Sequence, residues 1–166
     1  MFGIGEYVVY GNNGVCKITD IGPLYPAGDD EETMDYYTMV PCYIKDSEVC
    51  TPVDNNRVVI RAIMTKDEAS HLIEDIEDID LLVVEEEKKR ELIYKQTLLS
   101  CDPYKIAGML RGIGQRIVER KAEGKKVTSS DAKYYRLAED SLYGELAISL
   151  GIEKDDVKKL VEKEEE

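Results

Sequence analysis

Near Ile63 the hydrophobic period of the chain changes from two to about 3.6, and no other feature constrains the fold as strongly. Before that point the apolar residues come in short β-prone runs separated by turn residues. After it they recur every three to four positions. Thr65-Lys66-Asp67-Glu68 marks the switch, because Thr at the N-cap and Glu three residues later form a capping box. The chain therefore divides into a β unit over residues 1–64 and a helical unit over 65–166.

In the first unit Tyr7-Val8-Val9-Tyr10 is a strand closed by the turn Gly11-Asn12-Asn13-Gly14, and Val15 to Ile21 is a second strand ended by Gly22-Pro23. Leu24 to Asp35, with the acidic cluster at 29–32, reads as a loop. Tyr36 to Val40, Tyr43-Ile44, Val49 to Val53 and Arg57 to Arg61 supply further strand signals. Pro41 and Pro52 belong at strand ends or edges. Short strands at this spacing predict a small twisted sheet or barrel.

Five helices are expected in the second unit. The first follows Thr65, with the stripe Ala69, Leu72, Ile73 and Ile76. The second spans about Val84 to Leu99, where Glu85–Lys89 and Glu86–Arg90 are i,i+4 pairs. The third starts at Pro103 behind the N-cap Asp102, carries Ile106, Met109, Leu110, Ile113 and Ile117, and ends near Gly124. Its Gly108 and Gly112 mark a place where another backbone can come close. The fourth starts around Thr128 to Asp131 and stops at Gly151, with Tyr135, Ala138, Leu142 and Leu146 as its stripe. The fifth runs from about Glu153 to Glu162, with Val157, Leu160 and Val161 inward and a solvated tail at 164–166.

A net charge of −13 argues against a protein that coats nucleic acid by bulk charge, so the distribution of charge matters more than its sum. Residues 66–102 are net −7 and residues 138–166 net −6, whereas residues 103–137 hold 9 basic and 3 acidic side chains. This cationic island comprises Lys105, Arg111, Arg116, Arg120, Lys121, Lys125, Lys126, Lys133 and Arg136. Lys125 and Lys126 precede a hydroxyl-rich helix start whose free N–H groups favour anions. Lys88-Lys89-Arg90 is a smaller cationic group. Phosphate-backbone contact is one reading; pairing with the acidic flanks is the other.

Catalytic patterns are missing: there is no P-loop, no G-x-S-x-G and no H-E-x-x-H, and His71 is the single histidine. The four cysteines form no CxxC pair and read as free, mostly packed thiols in preference to a zinc site shared with His71. The N-terminus has neither a basic n-region nor an apolar h-region, and no apolar run approaches the ~20 residues that cross a bilayer. The expectation is a cytoplasmic, non-enzymatic protein that needs no cofactor or metal and has no membrane partner.

Phe2, Gly5-Glu6, Val8-Val9-Tyr10, Gly14-Val15 and Ile18 resemble the opening of the CarD/CdnL family of bacterial transcription regulators. Ser100-Cys101-Asp102, Lys105-Ile106-Ala107, Leu110-Arg111 and Leu142 to Ala147 are similar to that family's helical half. The resemblance implies an α+β protein, with an N-terminal SH3/Tudor-like β-barrel that binds the RNA polymerase β subunit followed by an all-α domain of about five helices. On that basis Tyr37, Met39, Val49, Cys50 and Thr51 are the partner-binding candidates. The helical domain of the family contacts promoter DNA and wedges a tryptophan into the minor groove. Here Lys88, Lys89, Arg90, Arg111, Arg116, Arg120, Lys125, Lys126 and Lys133 are the candidates for weak, non-sequence-specific DNA contact. This chain has no tryptophan, and Glu87 or a neighbour falls at the wedge position. A protein–protein adaptor that keeps the barrel and has lost DNA contact is the alternative.

Overall fold

A computed structural model describes residues 1–24 and 33–164. The acidic cluster at 29–32 and the last two residues of the tail lie outside the described residues. The N-terminal unit is a five-stranded antiparallel sheet of β1 (Tyr7–Tyr10), β2 (Val15–Gly22), β3 (Tyr36–Pro41), β4 (Val49–Pro52) and β5 (Ile60–Ala62), in the order β4-β3-β2-β1-β5. The turn after β1 is a single 3₁₀ turn over Gly11–Asn13, released by Gly14 at φ 69°. A register shift between Ile18 and Asp20 increases the local twist and curls the sheet over its core. Alternate residues Val8, Cys16, Ile18, Tyr37 and Met39 fill that core. Among the described residues β4 and β5 do not pair with each other, so the curled sheet keeps two open edges.

Five helices follow: α1 (Lys66–Asp75), α2 (Glu87–Leu99), α3 (Pro103–Ala122), α4 (Ser129–Leu150) and α5 (Lys154–Glu164). Both halves of the capping box form: Glu68 N–H donates to Thr65 Oγ1, and Thr65 N–H donates to the Glu68 carboxylate. Asp102 accepts from the amides of Tyr104 and Lys105 at the start of α3, and Thr128 accepts from Asp131 N–H at the start of α4. The helices share one hydrophobic core, separate from that of the sheet.

Four expectations change, the first being the last strand, expected over Arg57 to Arg61 and found at Ile60–Ala62, where it pairs with β1. Tyr43 and Ile44 lie in a turn, because Tyr43 packs on the helical unit and leaves the sheet. The second helix begins at Glu87, so Glu85 and Glu86 precede it and the Glu86–Arg90 pairing is lost. Leu160 is 41% exposed, since the buried apolar face of α5 is formed by Val157 and Val161.

The segment 79–86 crosses α3 at Gly108 and Gly112, where Leu82 N–H donates to Gly108 O at 3.0 Å. A Cβ on Gly108 would come within 2.5 Å of Asp80 O, and one on Gly112 would meet the Leu82 carbonyl. Both obstacles are backbone and cannot swing aside. In an exposed helix Gly→Ala stabilises by about 1 kcal/mol. Gly112→Ala is therefore expected to have the opposite sign, a loss of about 1–3 kcal/mol in urea unfolding.

Candidate functional site

The two units meet through polar contacts built around Arg61 on β5. Its guanidinium grips Glu145 of α4 with two bonds of 2.7 Å, while Nε donates to Cys101 O at 2.7 Å and Nη1 to Ala62 O at 3.0 Å. Glu145 is 1% exposed. Burial raises its pKa above the ordinary carboxylate value, and Arg61 and the Met64 amide oppose that rise. Around this pair, Tyr43 Oη donates to Gly144 O at 3.3 Å, with its ring where a Gly144 side chain would stand. The Cys101 thiol, itself at φ 55°, reaches Gly11 O at 3.4 Å. Burial also raises the Cys101 thiol pKa and pushes Cys16 up to about 12, so both stay protonated. Sequence reasoning passed over Arg61, Tyr43 and Glu145. A readable signal existed, since a carboxylate within the apolar run Leu142 to Ala147 needs a buried partner.

Among the described residues no strand pairs with the outer edge of β4. Val53 N–H donates to Asp35 O at 3.0 Å, which sets Asp35/Val53, Tyr37/Thr51 and Met39/Val49 as hydrogen-bonding pairs. The alternate pairs are Tyr36/Pro52 and Thr38/Cys50, so the N–H and C=O of Cys50 point away from β3 toward the open side. Pro52, lacking an N–H, sits where no ladder bond is needed. Three of the expected partner-binding side chains are instead core. Tyr37 and Met39 are buried under the sheet, Tyr37 Oη accepting from Phe2 N–H at 3.0 Å, and Thr51 is buried beside them. Their alternation with exposed neighbours turns them inward. Cys50 is exposed and Val49 half-buried. What the edge offers a partner is main chain, with the Cys50 side chain beside it.

The predicted cationic island separates into two kinds of residue. Four arginines bind within the protein, while Arg136 is exposed. Arg90 is buried and donates to Val84 O at 2.9 Å, and Arg111 donates to Ile79 O at 2.9 Å. Arg116 pairs with the fully buried Asp131 at 2.8 Å, and Arg120 donates to Lys126 O at 3.1 Å. Asp131 also accepts from Tyr94 Oη, and burial together with that carboxylate lifts the Tyr94 pKa to about 12. At roughly 100° per residue, Arg111 lies about 140° around α3 from Arg116, so these two do not share a face. Lys88, Lys89, Lys125, Lys126 and Lys133 are exposed. Lys89 meets Glu86 at 3.3 Å, Lys125 meets Glu123 at 2.9 Å and Lys133 stands over the Tyr134 ring. The bond from Lys125, then its charge, holds the Glu123 carboxyl below its usual range. Glu87, in the first turn of α2, is exposed.

Among the described residues no group of His, Cys, Asp and Glu is placed to hold a metal ion, and no helix is long and apolar enough to cross a membrane. Residues 2–64 match the family model of the CarD-like/TRCF RID domain. The curled sheet is thus similar to CarD-like/TRCF RID domains. The RID match ends at Met64, two residues before α1, and includes the β4 edge, Tyr43 and Arg61. No curated protein matches the chain.

Because the folded chain holds the Glu145 proton more tightly than the unfolded one, this group adds stability at low pH and loses it as pH rises through its folded pKa. Glu145→Gln removes that component. The stability of wild type relative to the variant is expected to fall as pH rises above the ordinary carboxylate range, read by urea unfolding at each pH.

Proposed function

We propose that this protein is a non-catalytic, cytoplasmic transcription regulator. It docks on the β subunit of RNA polymerase through the open edge of its RID domain and lays its helical unit along the promoter DNA backbone. The RID match over residues 2–64 carries the reading, since that family supports a polymerase-binding role. The β4 edge gives it a physical form. A strand from the partner adds to the sheet, and main-chain bonds at Cys50 supply affinity while neighbouring side chains set specificity.

On the helical side the contact falls to Lys88, Lys89, Lys125, Lys126 and Lys133, the exposed members of the expected set. Lysines act as mobile point charges, which suits phosphate contact without base reading. Glu87 cannot serve as an apolar wedge, and its carboxylate repels phosphate. DNA contact is weak and strongly salt-dependent. A second reading, an adaptor without DNA contact, draws support from the four arginines committed to internal partners. A gel-shift titration at low salt separates the two.

Pull-down with core RNA polymerase is expected to retain the wild-type chain. Cys50→Pro, which removes the outward N–H and spares the bonds to β3, should bind about tenfold more weakly with unchanged circular dichroism. Unchanged capture would exclude the edge. Replacing both Lys125 and Lys126 by Glu should weaken DNA binding and reduce the salt slope by about two. An unaltered slope would favour the adaptor.

A further inference from the structure

We infer that Arg61 and Glu145 are positioning residues, a clamp that fixes the RID edge and the lysine-bearing helices at one angle so that a single molecule engages polymerase and DNA together. This rests on the function proposed above, and adds to it the device that couples the two contacts.

The two hydrophobic cores are separate clusters; Val9, Val15 and Cys101, buried but part of neither, bring the units into contact without fixing a direction as a bidentate bond does. The covalent link is short, three residues between Ala62 and Lys66, and Met64 within it is buried. One such link leaves rotation open. Arg61 removes that freedom by holding two separate parts of the helical unit at once, the α2–α3 corner through Cys101 O and the middle of α4 through both oxygens of Glu145. A planar fork bonded on two sides fixes direction as well as distance. Tyr43 adds a third point at Gly144, and Lys154 covers its ring at 4.6 Å while pairing with Asp140 at 2.6 Å. Among the described residues Arg61 is the cation that meets the Glu145 carboxylate, so the orientation depends on Arg61.

The consequence for binding follows from effective concentration. A few exposed lysines bind DNA weakly alone, but once the RID domain is seated on polymerase the second contact is intramolecular. Its strength then depends on whether the geometry is already set. A loosened clamp leaves each contact intact and weakens their combination.

The test uses the full chain as wild type, as Glu145→Gln, and as Arg61→Lys, which keeps the charge and loses the fork. Residual dipolar couplings read the angle without any partner. The wild type is expected to fit one alignment tensor for both units, and each variant two. Affinity is then measured for core polymerase alone and for polymerase carrying a promoter duplex. The variants should match wild type on polymerase alone and lose about tenfold on the DNA-bearing complex. A variant that keeps a single tensor, or keeps the full gain from DNA, overturns the clamp. Should Glu145→Gln fail to fold, Arg61→Lys gives the same reading. Wild type that binds neither polymerase nor DNA sinks the proposed function instead, and the tensors still report on the clamp's mechanical part.

Discussion

The structure depends on one buried ion pair, Arg61–Glu145, because it joins two units that have no common core. Buried pairs are poor sources of net stability, since desolvating two charges offsets most of their attraction. They are costly to break, however. Removing one partner leaves an uncompensated charge inside and costs about 3–5 kcal/mol. Here the carboxylate is 1% exposed and met by Arg61 and the Met64 amide, so the geometry that satisfies it is the geometry the domains adopt. The raised pKa of Glu145 shows the same competition between burial and the guanidinium.

A similar logic runs through the helical unit and divides its cations by chemistry. Arg116, Asp131 and Tyr94 tie α2, α3 and α4 together around a fully buried carboxylate, while Arg90, Arg111 and Arg120 satisfy carbonyls that helix ends and connectors leave open. Arginine suits these tasks because its fork is rigid and weakly hydrated. Lysine, strongly hydrated, stays in solvent. A cluster of positive residues in a sequence is therefore two populations, and the exposed lysines, with Arg136, remain the candidates for phosphate.

Local rules made much of the fold legible. The capping box at Thr65, the Asp102-Pro103 start of α3 and the turn residues after β1 bound elements by contacts within a few residues, and the structure contains each of them. Gly108 and Gly112 signalled a close backbone approach, and segment 79–86 makes it. What could not be read depends on tertiary partners. Tyr43 has strand propensity yet leaves the sheet for Gly144; Leu160 has the right helical spacing but no facing surface. Arg90 looks solvated in a basic triplet and is buried. Period two placed Tyr37, Met39 and Thr51 on one strand face or another without telling which face is core. The candidate site was thus legible as a region, the β3–β4 edge and the lysines, and not as a set of side chains.

A cryo-electron microscopy map of the protein on an RNA polymerase–promoter complex tests the central claim most directly. The expected map shows a polymerase strand hydrogen-bonded to the outer edge of β4, with the helical unit on the DNA backbone and Arg61 still seated on Glu145. A map in which polymerase contacts another face of the RID domain, or in which the helices have rotated away from Arg61, would contradict it.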